Sequence, residues 1–138
     1  MGEIIDIAIR YRSIFLEGTI GTLQLAAITV FFGMLLGAVV AFMHMSKFKP
    51  LSWLAGLYVE VLRGTPLLVQ LYIFYMFVPE MSPWIKSLDL PVYFYIVLSL
   101  VINSSAYVSE VIRAGIQAVD KGQREAAKSL GMSDFNTM

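Results

Sequence analysis

Leu23-Gln24-Leu25-Ala26-Ala27-Ile28-Thr29-Val30-Phe31-Phe32-Gly33-Met34-Leu35-Leu36-Gly37-Ala38-Val39-Val40-Ala41-Phe42-Met43 is a run of 21 residues without a single charge. Wound as an α-helix it is roughly 31 Å long, the thickness of a bilayer's hydrocarbon core. The uncharged stretch begins at Gly18. This segment is read as a first transmembrane helix. Thr29, Gly33, Gly37 and Ala41 fall four apart on it. Small residues at that spacing let a second helix approach closely, although small residues are also common in membrane helices generally.

The composition agrees with a lipid environment. Of the 138 residues, 58% are apolar and 14% charged. A soluble domain is about half apolar and about a quarter charged, so too few charges remain here to cover a water-facing surface. The formal net charge is zero and no basic face stands out, which argues against a nucleic-acid partner. No cysteine is present, and the one histidine, His44, reads as an interfacial residue at the end of the first span, so no metal site is expected. The sequence has no phosphate-binding Gly-x-x-x-x-Gly-Lys loop, no nucleophile elbow and no zinc-protease pattern. No catalytic residue is assigned, and the chain is not read as an enzyme.

Working outward, residues 1–17 place Glu3, Asp6, Arg10, Ser13 and Glu17 on one helical face and Ile4, Ile7, Tyr11 and Ile14 on another. This reads as an amphipathic segment at the membrane surface, or as a polar N-terminus. Residues 18–138 form the membrane domain, with spans at about 20–45, 51–78 and 91–115. The second span carries Glu60 and Arg63 near its middle and the breaker Gly64-Thr65-Pro66. Pro66 has no N–H for the carbonyl of Leu62 and biases Thr65 away from helical geometry, so one spanning helix with a kink or break near Gly64 is expected. Trp84, in the loop from Pro79 to Pro91, suits a membrane–water interface. Lys47, Lys49, Arg113, Lys121, Arg124 and Lys128 lie on one side of the spans, against Arg10, Arg12 and Lys86 on the other. Six against three puts the first loop and the tail in the cytoplasm and the N-terminus outside.

Two polar patterns point to function. Glu60 and Arg63 are neighbours on a helix face, with Gln70 about two turns beyond Arg63. They line a solute path, or they form an interfacial ion pair with snorkelling side chains. Broken helices in membranes expose backbone mainly where it is buried in protein or lines a cavity, which favours the path. On the third span Ser99, Asn103, Tyr107, Glu110 and Gln117 make a narrow polar stripe. The stripe serves a solute, helix–helix hydrogen bonding, or both. The candidate path residues are therefore Arg63, Thr65, Gln70, Asn103, Tyr107 and Glu110, with Arg63 and Glu110 supplying both signs for a zwitterion unless Arg63 pairs with Glu60. In the tail, Asp120-Lys121-Gly122 reads as a break before a short helix opened by Glu125, Ala126 and Ala127, and Gly131 can take the left-handed conformation that ends a helix.

The run Glu60-Val61-Leu62-Arg63-Gly64-Thr65-Pro66-Leu67-Leu68-Val69-Gln70 closely resembles the second-helix signature of polar amino-acid permeases of ABC importers. Ser105-Ala106-Tyr107-Val108-Ser109-Glu110 with Arg113 and Gly115, then Gly122-Gln123 and Glu125-Ala126-Ala127 with Gly131, is similar to that family's third helix and "EAA" loop. The resemblance runs from about Gly18 to the end of the chain. It implies an all-α integral membrane protein of the type I (MetI-like) permease fold, with three transmembrane helices and a cytoplasmic coupling helix in a loop at 117–135. It also implies a multi-pass protein of the cell (inner or plasma) membrane that moves an amino acid. The implied partners are an ABC ATPase, a second permease copy or a sister permease, and an extracytoplasmic solute-binding protein. No cofactor is implied in this chain, since ATP belongs to the partner ATPase. Gln123, Glu125, Ala126, Ala127 and Gly131 would couple to that ATPase. The family's pattern continues past the glycine into further spans, whereas this chain stops at Asp134-Phe135-Asn136-Thr137-Met138, so it is expected not to transport by itself. The alternatives are a small membrane interaction protein and a permease fragment without activity.

Overall fold

The computed structural model describes residue 7, residues 9–133 and residue 137, so the expectations resting on Glu3, Ile4 and Asp6 lie outside the described residues. The ordered elements are α1 (Arg12–His44), α2 (Lys49–Gly64), α3 (Leu67–Met76), a 3-10 turn (Val78–Glu80), α4 (Pro83–Ser87), α5 (Val92–Gln117) and α6 (Lys121–Ser129). No strand occurs among the described residues.

Helix α1 has 33 residues and starts well before the expected first span. It runs unbroken through residue 18, and the hydroxyls of Thr19 and Thr22 donate back to the carbonyls of Phe15 and Gly18 at 2.7 and 2.8 Å. Phe31, Phe32, Leu35, Val39 and Phe42 all face outward. A helix clothed in such side chains is at ease in hydrocarbon, not in water. By length and composition α1 and α5 can each cross a membrane, and α2 with α3 makes a third crossing only if the bent pair counts as one span.

The most extensive packing is α1 against α5. Gly33 and Gly37 are the reason the two backbones come so close. A Cβ built on Gly33 would lie 2.8 Å from Ser104 Oγ, and one on Gly37 would lie 2.8 Å from Val108 Cβ and 3.0 Å from the carbonyl oxygen of Ser105. The small-residue stripe is thus a helix contact. Four residues along α1 correspond to four along α5 in the same sense, so the two helices run parallel. Helix α2 folds back antiparallel on α1, with Val40 meeting Ala55 and Val59 and with Ser52 donating to the carbonyl of His44 at 2.6 Å.

Gly37→Ala tests this register. The added methyl meets the branched Cβ of Val108 and a backbone carbonyl, neither of which can rotate away, so the helices must part. We expect a loss of about 1–3 kcal/mol, the usual cost of overpacking a tight contact. It should read as an earlier midpoint when the chain in micelles is titrated with sodium dodecyl sulfate. An unchanged midpoint would rule out this helix contact.

A kink or break near Gly64 was expected in the second span, over 51–78, and a break is found there: α2 and the segment Leu67–Glu80 meet at 104°. Thr65 and Pro66 are both extended (φ −109°, ψ 138° and φ −61°, ψ 137°), so two residues leave helical geometry, not one. Helix α3 then runs back along α5 towards its start, where Leu68, Tyr72 and Tyr75 share an apolar groove with Val92 and Ile96. In the turn after α3, Lys86 pairs with Glu80 at 2.9 Å and Trp84 is exposed, as an interfacial indole would be.

Candidate functional site

A helix broken inside a membrane protein leaves backbone carbonyls without partners, and in hydrocarbon each costs several kcal/mol. Here side chains take over. Thr65 Oγ1 donates to the carbonyl of Val61 at 2.9 Å. The carbonyl of Leu62, which Pro66 cannot reach, accepts from Gln70 Nε2 at 2.7 Å. The same amide nitrogen lies 3.1 Å from the carbonyl of Thr65 and 2.8 Å from Thr65 Oγ1. Gln70 Oε1 accepts from Asn103 Nδ2 of α5 at 3.1 Å. Gln70 is 4% exposed, and its amide nitrogen holds the break while its amide oxygen ties it to α5.

Towards the ends of α1 and α5 the polar seam becomes ionic. Glu110 receives the fork of Arg113, with Nε at 2.9 Å from Oε1 and Nη2 at 2.7 Å from Oε2. Arg63 Nη1 approaches the same carboxylate to 3.6 Å while its guanidinium lies 5.4 Å over the ring of Tyr107. His44 Nδ1 is 3.4 Å from Glu110 Oε1, within ion-pair range but without a formed hydrogen bond. One carboxylate therefore gathers side chains from α1, α2 and α5. Arg113 also donates to Gln117 at 3.0 Å, which extends the stripe to the end of α5. Beside this cluster lies an open cleft of about 810 Å³, with Lys49, Trp53, Glu60, Arg63 and Glu110 on its walls.

The six candidate path residues fall in this seam: Thr65, Gln70 and Asn103 at the break, Arg63 and Glu110 on the cleft wall, and Tyr107 under the guanidinium of Arg63. The choice left open for Arg63 falls to Glu110, not to Glu60, which has no ion-pair partner among the described residues. Ser99, the first residue of the stripe, is fully buried and its hydroxyl has no partner among the described residues. Two participants were missed. His44 was read as merely interfacial, and Tyr58 was not singled out, although its hydroxyl lies 2.7 Å from Ser105 Oγ and donates to the carbonyl of Ile102 at 3.2 Å. The spacing Ser105, Ser109 was the available signal for a polar face against a neighbour, and both serines are buried.

In the tail, α6 begins at Lys121, four residues before Glu125, because the side chain of Asp120 caps it by accepting from the N–H of Gly122 at 2.7 Å. Gly131 stands at φ +81°. Its N–H reaches the carbonyl of Lys128 at 3.0 Å and that of Met132 reaches Ala127 at 3.1 Å, the double bond of a glycine-terminated helix end. No residue of α6 is buried, and Leu130 beyond its end is 84% exposed.

Comparison with known proteins places this geometry. Residues 33–138 match the family described as binding-protein-dependent transport system inner membrane component. The arginine transport system permease protein ArtQ of Bacillus subtilis (strain 168) is 43% identical over 117 residues, covering 85% of this chain and 52% of ArtQ. The L-cystine transport system permease protein TcyB of the same strain is 39% identical over 117 residues, covering 85% of this chain and 48% of TcyB. A crystal structure of an amino acid ABC transporter with histidines superposes with a TM-score of 0.84 at 47% identity, covering 94% of this chain and 58% of that one. The chain spans about half the length of the curated relatives it matches.

Proposed function

The chain belongs to the family of binding-protein-dependent transport system inner membrane components, and from that premise we propose that it is permease sequence of an ATP-driven amino-acid importer. The observation that carries the proposal is the broken second span: a helix bent by 104°, held open by Gln70 against α5, above a cleft with both signs of charge on its walls. Arg63, Tyr107 and Glu110 line the inner part of the path. Thr65, Gln70 and Asn103 shape it by fixing the break, since their polar groups are already bonded to one another.

The chain crosses the membrane three times in this reading. Two neighbouring helices that run parallel, α1 and α5, need a return crossing between them, and α2 with α3 supplies it. The charge asymmetry then puts the N-terminus outside and α6 in the cytoplasm. Helix α6 is the coupling helix, offering Gln123, Glu125, Ala126 and Ala127 to a separate ATPase, with Gly131 turning the chain after it. ATP is hydrolysed on that partner. A second permease copy or sister permease and an extracytoplasmic solute-binding protein complete the importer.

Gly131→Val tests the assignment. A β-branched residue at φ +81° is strained by about 1–3 kcal/mol, so the helix end must re-form. In a complete permease reconstituted with its ATPase, amino acid imported per ATP hydrolysed should fall while the amount of inserted permease stays the same. Unchanged coupling would remove α6 from the ATPase interface.

A further inference from the structure

Of the carboxylates and guanidiniums on the cleft, Glu110 and Arg113 are accounted for and Glu60 is not. Glu110 is occupied by Arg113, Arg63 and His44. Arg113 is taken up by Glu110 and Gln117. Glu60 lies exposed on the cleft wall and has no ion-pair or hydrogen-bond partner among the described residues. In the transport reading Glu60 belongs to the second span, and a carboxylate inside a span is costly and marks a ligand or ion pathway by default. Its neighbour one turn on, Arg63, is 44% exposed, and its contact with Glu110 is long at 3.6 Å, so part of the guanidinium remains open to the cleft. Residues three apart on a helix hold their Cβ atoms about 5–6 Å from each other. Glu60 and Arg63 therefore present a negative and a positive group side by side without neutralising each other.

Building on the transport reading, we propose that Glu60 is the specificity residue of a binding site in this cleft, accepting the ammonium of an amino acid whose carboxylate turns to Arg63. The complement is close. An α-amino acid carries its ammonium and carboxylate on one carbon, and the cleft's roughly 810 Å³ admits a side chain of any size beyond them. Trp53, 70% exposed on the same wall, gives that side chain an apolar and π-rich surface and gives the experimenter a reporter. A primary ammonium could also come from an aminophospholipid headgroup, since the cleft is open. The proposal commits to the soluble amino acid.

The test uses the chain in nanodiscs of phosphatidylcholine and phosphatidylglycerol, with Trp84→Phe leaving Trp53 as the lone indole. L-glutamine, L-arginine and Nα-acetyl-L-glutamine are titrated while Trp53 fluorescence is followed. The two free amino acids should give saturable changes, and the acetylated compound, which keeps the carboxylate but lacks the ammonium, should bind about ten- to a hundredfold more weakly. Glu60→Gln should weaken both free amino acids by a similar factor, and Glu60→Asp should restore part of the affinity, with helix content by circular dichroism the same in all three proteins. Equal binding of acetylated and free glutamine would overturn the role of Glu60, as would full affinity in Glu60→Gln. A signal that appears only when phosphatidylethanolamine is added, and ignores free amino acid, would overturn the occupant. Each of these results stands apart from the ATP-driven uptake that tests the parent reading.

Discussion

Gln70→Leu should be among the most damaging single substitutions in this chain, with a loss of about 4–6 kcal/mol. Leucine keeps the volume and removes every polar atom. The carbonyls of Leu62 and Thr65 lose their donor, and Asn103 Nδ2 loses its acceptor. An ordinary polar contact between membrane helices averages only about 0.6 kcal/mol, because the unfolded chain in lipid finds other partners. A backbone carbonyl stranded beside a proline has no such alternative and costs several kcal/mol when water is excluded. That difference makes the Leu62 carbonyl the dominant contribution. The double variant is the sharper test. Pro66→Ala supplies an N–H at the position where helical continuation would serve Leu62, so the carbonyl no longer depends on Gln70. Gln70→Leu should therefore cost much less in the Pro66→Ala background, and the bend should straighten. Denaturation midpoints in micelles measure the first effect, and a spin-label distance between residues on α2 and α3 measures the second. Equal costs in both backgrounds would mean that Gln70 does not replace the proline's missing bond.

The same residues mark how far the sequence alone could be read. The run Leu23–Met43 and the break at Gly64-Thr65-Pro66 were legible because their causes are local: apolar length in one case, a missing N–H and a restricted φ in the other. The left-handed Gly131 was legible for the same reason. The size of the bend was not, because it depends on where the freed carbonyl of Leu62 finds a donor, and that donor sits eight residues away on the next helix. The partner of Arg63 was ambiguous because helical spacing offers Glu60 while tertiary packing offers Glu110. His44 was underread since its neighbours follow from the register of α1 on α5, which Gly33 and Gly37 permit but do not announce. Of the site itself, the six polar residues could be collected from their helical stripes. Their division into a closed hydrogen-bonded set at the break and an ionic set at the cleft required three dimensions.

The ionic set carries the second large expectation. Glu110 is the only anion paired with Arg113, Arg63 and His44 among the described residues, and the three come from three helices. Glu110→Gln keeps the shape and removes the charge. Arg113 would then face one amide oxygen and one amide N–H, so its fork can form a single bond instead of two. Arg63 would lose its ionic partner and keep only the ring of Tyr107. Breaking a buried pair by removing one partner costs about 3–5 kcal/mol, and the partial exposure of Arg113 and Arg63 brings the expectation to about 2–4 kcal/mol. The direction for the two arginines is testable separately. Arg63→Ala in the wild-type background should cost well under the loss from Glu110→Gln, because Glu110 retains the Arg113 fork. In the Glu110→Gln background Arg63→Ala should be neutral or stabilising, because it then removes an unpaired cation. The readout is the denaturation midpoint of the four proteins of that cycle in micelles at low salt. If Arg63→Ala costs the same with and without Glu110, the 3.6 Å contact contributes nothing, and the polar links of α2 to α5 are the Tyr107 ring, Tyr58 and, at the break, Gln70.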